Sequence, residues 1–236
     1  MEIRDFEITN YKNNIRSGFG FTIAFPHILK IQQELPISFH EIVRKKGYPE
    51  FEIEKIDNNN VFHFFSNEHD YRIAFGKSLL ILIYNGNSVD YQDLKERIEY
   101  ALIIFKEQYS PAYFKQTRLT EQYSVDELFF KHNNINLKQC VPKYIFPELL
   151  SPFEKKIYSL NKSTIFEYNG FETRVDCFLE NNNEKLYGVN VTCSYNQNIG
   201  DINEIIETFD RIKQSTWNVS QSCITDNLRK VMEEIK

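Results

Sequence analysis

Two stretches of the chain carry one pattern: short alternating strands that close on a turn and an amphipathic helix, over 61–109 and again over 163–236. A strand with one apolar face and a helix with one apolar stripe bury those surfaces against each other. The repetition therefore predicts an α+β fold, with antiparallel β-sheets covered by long amphipathic helices. Two similar β-meander-plus-helix halves fit this pattern. They divide the chain into an N-terminal α+β half at 1–132, a connecting segment at 133–155 and a C-terminal α+β half at 156–236. One continuous domain accommodates the same elements.

The local signals are specific. Residues 2–8 and 19–25 read as two strands around an Asn13-Asn14 turn, with Phe19, Phe21, Ile23 and Phe25 alternating cleanly. Pro26 opens a short helix and Pro36 interrupts it. Ser38 and Glu41 have the spacing of a capping box, and Gly47 suits the helix end. Strands follow at 51–56, 61–66, 71–76 and 79–84. A helical stripe then runs through Leu94, Ile98, Ala101, Leu102 and Phe105. A strand is expected at 113–123, and Ser124 with Glu127 reads as a second capping box. Prolines at 142, 147 and 152 mark the joint. Beyond it, Asn169-Gly170 is a strong hairpin signal. Strands flank it, and a seam of Ile202, Ile205, Phe209, Ile212, Thr216, Val219 and Cys223 predicts a helix lying on a sheet. Thr225 caps a further helix.

At 236 residues the chain can bury a core without disulfide or metal staples. Its 15% aromatic content is that of an ordered protein. The net charge of −5 disfavours nucleic-acid phosphate as a partner. Arg44-Lys45-Lys46, the densest basic run, sits where cations complement a helix dipole. Cys140, Cys177, Cys193 and Cys223 form no CxxC pair. Met1–Asp5 shows no apolar signal core, and no run of 18 apolar residues occurs, so the expected location is cytoplasmic, with no membrane contact.

No arrangement of residues specifies a reaction. HExxH, GxSxG and phosphate-loop motifs are absent, and Gly18-Phe19-Gly20 lacks a third glycine. Glu68-His69-Asp70 is the densest polar cluster, but it falls between strands, where charged turns are ordinary. Asp90, Asp93 and Lys95 have the residue types of a metal-dependent nuclease, yet they lie at a helix start. Glu52, Glu54 and Lys55 lie on a strand, with the two acids facing water. Glu172, Arg174 and Asp176 read as a solvated face. Cys177 and Cys193 read as small buried hydrophobes. Phe62, His63, Phe64 and Phe65 read as a strand buried on both sides. Trp217, one position off the helical seam, is a rim residue or an interface anchor. No catalytic, cofactor-binding or metal-ligating residue is assigned.

Gly47-Tyr48-Pro49, Phe64-Phe65-Ser66, the strand at 79–84 and Ile224-Thr225-Asp226-Asn227-Leu228 follow one another along nearly the whole chain. In that order they resemble a family of bacterial hypothetical proteins without a functional name. The resemblance implies a role linked to mobile or defence loci and transfers no functional residue. The reading is a non-enzymatic cytoplasmic adaptor, chaperone- or antitoxin-like, whose partner is another protein. A homodimer through the C-terminal helix is a further expectation. The alternative is a metal-dependent, nuclease-like hydrolase acting on nucleic acid or nucleotides.

Overall fold

The computed structural model describes residues 3–8, 16–86, 90–147, 159–181 and 185–233. The chain begins its sheet with β1 (Arg16–Ala24), followed by short helices α1 (Lys30–Gln33) and α2 (Ile37–Arg44). A meander follows: β2 (Glu50–Ile56), β3 (Asn59–Phe65), β4 (Tyr71–Phe75) and β5 (Leu79–Gly86), closed by α3 (Tyr91–Tyr109). The order then recurs. Strand β6 (Gln116–Asp126) leads to short helices α4 (Glu127–Asn133) and α5 (Leu137–Cys140). Next come β7 (Ser159–Tyr168), β8 (Phe171–Asn181) and β9 (Lys185–Tyr195), and then α6 (Ile202–Ser222) and α7 (Asp226–Glu233).

Both stretches join one antiparallel nine-stranded sheet, ordered β2-β3-β4-β5-β1-β6-β9-β8-β7. Strands β1 and β6 lie side by side at its middle, and each borders the last strand of the meander that follows it. The repeated unit is therefore strand, short helices, meander, long helix. It starts earlier than the sequence pattern shows, because β1 and β6 are separated from their meanders by helices.

Side chains alternate between the two faces of the sheet. One face presents Phe62, Phe64, Phe75, Leu80, Leu82, Phe19, Phe21, Ile23, Leu119, Val189, Val191, Val175 and Leu179, all buried. The helices pack here. Phe39 of α2 meets Phe64 and Phe75, with centroids 5.0 and 4.9 Å away; Phe105 of α3 meets Phe25 and Phe75 at 4.9 and 5.4 Å. Phe209 of α6 meets Phe21 at 5.0 Å. Each such ring contributes roughly 1.5–3 kcal/mol by leaving water.

Several local expectations are corrected. Residues 3–8 are not a sheet strand. They run along α6, where the Phe6 amide donates to Asn218 Oδ1 at 2.9 Å and Trp217 Nε1 donates to the Glu7 carbonyl at 2.9 Å. Trp217 is thereby buried rather than on a rim. Helix α2 starts after Pro36, which places Ser38 inside the first turn with no side-chain cap. Strand β6 continues through Ser124, and Asp126 caps α4 by accepting from the Phe129 amide at 3.0 Å. Within the expected connecting segment, Val141, Ile145 and Phe146 are buried. Residues 148–155, and the Asn13-Asn14 turn, lie outside the described residues. Strand β3 has helices over only one face, towards which Phe62 and Phe64 point; on the other face His63 is buried as well, at 7% exposure, and Phe65 half-buried, so the expected burial on both sides holds at His63 without a helix over it.

Other signals translate directly. The φ angles of Asp57 and Asn58 (48° and 62°) and of Asn169 and Gly170 (53° and 79°) match the two-residue turns that twist with their strands. Gly47, at φ 91°, ends α2 with the Tyr48 amide donating to the Val43 carbonyl at 3.2 Å. The seam of α6 lies on the sheet: Ile205, Phe209, Ile212, Thr216, Val219 and Cys223 are all buried. A dimer through this helix would therefore need other residues. No helix of the described residues is long and apolar enough to cross a membrane.

Candidate functional site on the uncovered sheet face

The helices all lie against one face of the sheet; among the described residues no helix covers the other. The pairing register defines what that second face presents. One row across it runs Glu50, Phe65, Arg72, Ile83, Gly20, Thr120, Thr192, Arg174 and Ile165. The next row runs Glu52, His63, Ala74, Ile81, Thr22, Arg118, Ser194, Glu172 and Glu167. The two ends of these rows differ in character. Over β3, β4 and β5 the apolar side chains of Val61, Phe65, Leu79, Ile81 and Ile83 share the surface with His63 and Arg72, and Ala74 is buried beneath it. Neighbouring strands lie about 4.8 Å apart, so these side chains form a mixed patch in which Leu79, Ile81 and Ile83 adjoin along β5 and Arg72 lies between Ile83 and Phe65. Over β6, β9 and β8 the surface is polar: Thr120 and Thr192 hydroxyls meet at 3.0 Å, and Arg174 pairs with Asp176 at 2.9 Å.

The patch has a polar border. Glu50, Glu52 and Glu54 alternate along the edge strand β2 on this same face, all exposed. Glu54 Oε2 lies 3.1 Å from His63 Nε2, and Glu50 Oε2 lies 3.3 Å from His69 Nε2. The Arg72 guanidinium sits 5.9 Å from the Phe65 ring, over its face. His63 is only 7% exposed, and its Nδ1 is buried with no hydrogen-bond partner. A buried polar atom left unmatched costs about 1–3 kcal/mol. Ile83 and Phe65 remain half-buried and Leu79 is 42% exposed, so the patch can be contacted without rearranging the sheet.

The residues with nuclease-like chemistry do not converge. Asp90 caps α3, accepting from the Gln92 and Asp93 amides at 2.8 and 3.2 Å. Asp93 accepts from Tyr71 at 2.7 Å and Arg97 at 2.9 Å. Burial would raise its carboxyl, but those two bonds outweigh it and hold the group below the ordinary carboxylate value. Lys95 turns to Asp210 of α6 at 2.7 Å. Glu52 and Glu54 face opposite to Lys55. Glu68, His69 and Asp70 occupy the β3–β4 turn, with His69 at φ 58°. Among the described residues no group of three or more His, Cys, Asp and Glu is placed to hold a metal ion.

A second polar assembly, invisible in the sequence, lies beneath α6. Lys213 Nζ approaches Glu121 Oε1 of β6 at 2.7 Å, with the two side chains 4% and 2% exposed. The approach is an ion contact without the alignment of a hydrogen bond. Tyr123 donates to the other oxygen, Oε2, at 3.0 Å. The Lys213 ammonium also faces the Trp217 and Tyr91 rings, 4.9 and 6.0 Å from their centroids. Tyr91 donates to Asp210 at 2.5 Å, and burial followed by this bond drives its hydroxyl far above its ordinary value. The assembly ties α3, α6 and β6 together within the core.

Comparison with known proteins adds no function. No family model matches the chain, and no curated protein matches it. Among solved structures, the S. pombe Pct1 RNA triphosphatase in complex with the Spt5 CTD aligns at 7% identity over 94% of this chain and 87% of that one. The TM-score is 0.12, which does not indicate a common fold.

Proposed function

We propose that this chain is a non-enzymatic adaptor that holds a basic, amphipathic segment of another protein on the uncovered face of its sheet. The observation that carries the reading is the largely apolar patch of Val61, Phe65, Leu79, Ile81 and Ile83 around Arg72 over β3, β4 and β5, bordered by Glu50, Glu52 and Glu54. A contiguous exposed apolar patch with a polar rim marks an interaction surface. The glutamate row selects the charge of the occupant: a segment with apolar side chains on one side and Lys or Arg along its border satisfies both features.

The test compares three immobilised proteins: the unmodified chain, Ile83→Asp within the patch, and Leu128→Asp on α4, where Leu128 is 75% exposed. Circular dichroism establishes that all three are folded. The reading predicts a stoichiometric protein retained by the unmodified chain and by Leu128→Asp, weakened about tenfold or more by Ile83→Asp, a loss of roughly 1.4 kcal/mol or more. Its contact segment should be rich in Lys or Arg, and binding should weaken with salt. Undiminished binding to Ile83→Asp, or the absence of any such protein, overturns the reading.

A further inference from the structure

Cys177 of β8 and Cys223 at the end of α6 come together on the covered side of the sheet, far from the patch described above. Both line a cavity of about 380 Å3. Its wall is largely apolar, including Ile3, Ile145, Phe166 and Val175. Lys162 also lines it and donates to the Tyr144 and Ile145 carbonyls at 3.4 Å each. The volume and apolar lining suit a small organic molecule. The two thiols are in hydrogen-bond contact, and the Tyr187 hydroxyl, which donates to the Cys223 carbonyl at 2.5 Å, lies against Cys177 as well.

The four cysteines are not chemically alike. The hydrogen bond from Cys223 holds the Cys177 thiol below its ordinary value despite burial, helped by Tyr187 and the Lys162 charge. Asp176 opposes this more weakly. Cys223 is pushed well up by its bond to Cys177 and by burial. Burial pushes Cys140 and Cys193 up to about 12. The thiolate is the nucleophilic form of cysteine, and Cys177 and Cys223, unlike Cys140 and Cys193, are the two that line the cavity.

We propose that Cys177 and Cys223 form a redox-active thiol pair that reduces a small apolar organic hydroperoxide bound in this cavity. The Cys177 thiolate attacks the terminal oxygen of the hydroperoxide. A sulfur–oxygen bond forms, the O–O bond breaks, and the departing alkoxide takes the proton that the Cys177 thiol gave up on ionising and leaves as the alcohol. Cys177 is now a sulfenic acid. Cys223 gives up its thiol proton and attacks the Cys177 sulfur. The S–S bond forms, the S–OH bond breaks, and hydroxide leaves with that proton as water. Two thiols are oxidised to one disulfide while the hydroperoxide is reduced to alcohol and water. An added dithiol restores the reduced pair by exchange.

The test mixes the reduced full chain with one equivalent of cumene hydroperoxide or of hydrogen peroxide and follows alcohol release, intact mass and peptide maps. The expected result is one equivalent of cumyl alcohol, a mass loss of about 2 Da and a Cys177–Cys223 linked peptide. Cumene hydroperoxide should react at least about tenfold faster than hydrogen peroxide, because its apolar body is buried on binding. Cys177→Ser should release no alcohol. Cys223→Ser should release it and retain a sulfenic acid at Cys177, about 16 Da heavier and trapped by dimedone. Absence of alcohol from the unmodified chain, unchanged release from Cys177→Ser, modification at Cys140 or Cys193 instead, or equal rates with the two peroxides overturns the proposal. None of these outcomes bears on binding at the open sheet face.

Discussion

Replacing Lys213 by Met is the sharpest probe of how the two layers are held together. Methionine is similar in length and fills the space under α6, so the substitution isolates the charge. Glu121 then keeps its Tyr123 hydrogen bond but loses the ammonium 2.7 Å away, at a site where its side chain is 2% exposed. Removing one partner of a buried ion pair costs about 3–5 kcal/mol, since the remaining charge is neither solvated nor compensated. In a domain of this size each kcal/mol lowers the melting temperature by about 2–4 °C, so the fall should be roughly 6–20 °C. With a urea slope of roughly 3 kcal/mol/M, the midpoint should drop by about 1–2 M at unchanged slope. The decisive comparison is the double substitution Lys213→Met with Glu121→Gln. The neutral amide still accepts from Tyr123, so most of the lost stability should return. A loss below about 1 kcal/mol for Lys213→Met, or a double variant no more stable than the single one, would refute the reasoning.

Three further outcomes follow from local geometry. The Phe178 ring lies over Gly188, with ring atoms 2.0–2.6 Å from where a Cβ would stand, so Gly188→Val should cost about 1–3 kcal/mol in urea unfolding, partly relieved by Phe178→Ala. Asp90→Ala removes the cap of α3 and should cost about 1 kcal/mol by the same assay, while an exposed control such as Glu68→Ala should be neutral. Asp93 is held below its ordinary value of 3.8 in the folded state, so its contribution is complete above that value and is lost as pH falls through the depressed one. Melting temperature should accordingly fall less steeply with acid, below about pH 4, in Asp93→Asn than in the unmodified chain.

Much of the layering was legible because each element states its own period. The β1 alternation from Phe19 to Phe25, the α3 stripe from Leu94 to Phe105 and the Asn169-Gly170 turn all encode local geometry, and all reappear. What failed was information carried between elements. Residues 3–8 have the apolar spacing of a strand, but their hydrogen-bond partners are Asn218 and Trp217 of α6. Ser38 and Ser124 sit at capping-box spacing, yet neighbouring residues set where the helices begin. The Phe62–Phe65 run suggested burial on both faces, and only the sheet order shows that one face has no helix over it. The proposed interaction surface follows from that order: Phe65, Arg72 and Ile83 are unremarkable until cross-strand pairing sets them in one row. The Lys213–Glu121 pair was equally hidden, because a lysine at its helix position reads as solvent-facing until β6 is placed beneath it.

The most direct measurement of the central claim is hydroxyl-radical footprinting of this chain alone and in complex with the protein it retains. Docking on the uncovered face predicts that Phe65, Leu79, Ile81 and Ile83 lose reactivity in the complex, while Leu128 on α4 and Ile165 at the far end of the sheet keep theirs. Protection confined to α4 or to β7, with Phe65 and Ile83 as reactive as before, would contradict the account.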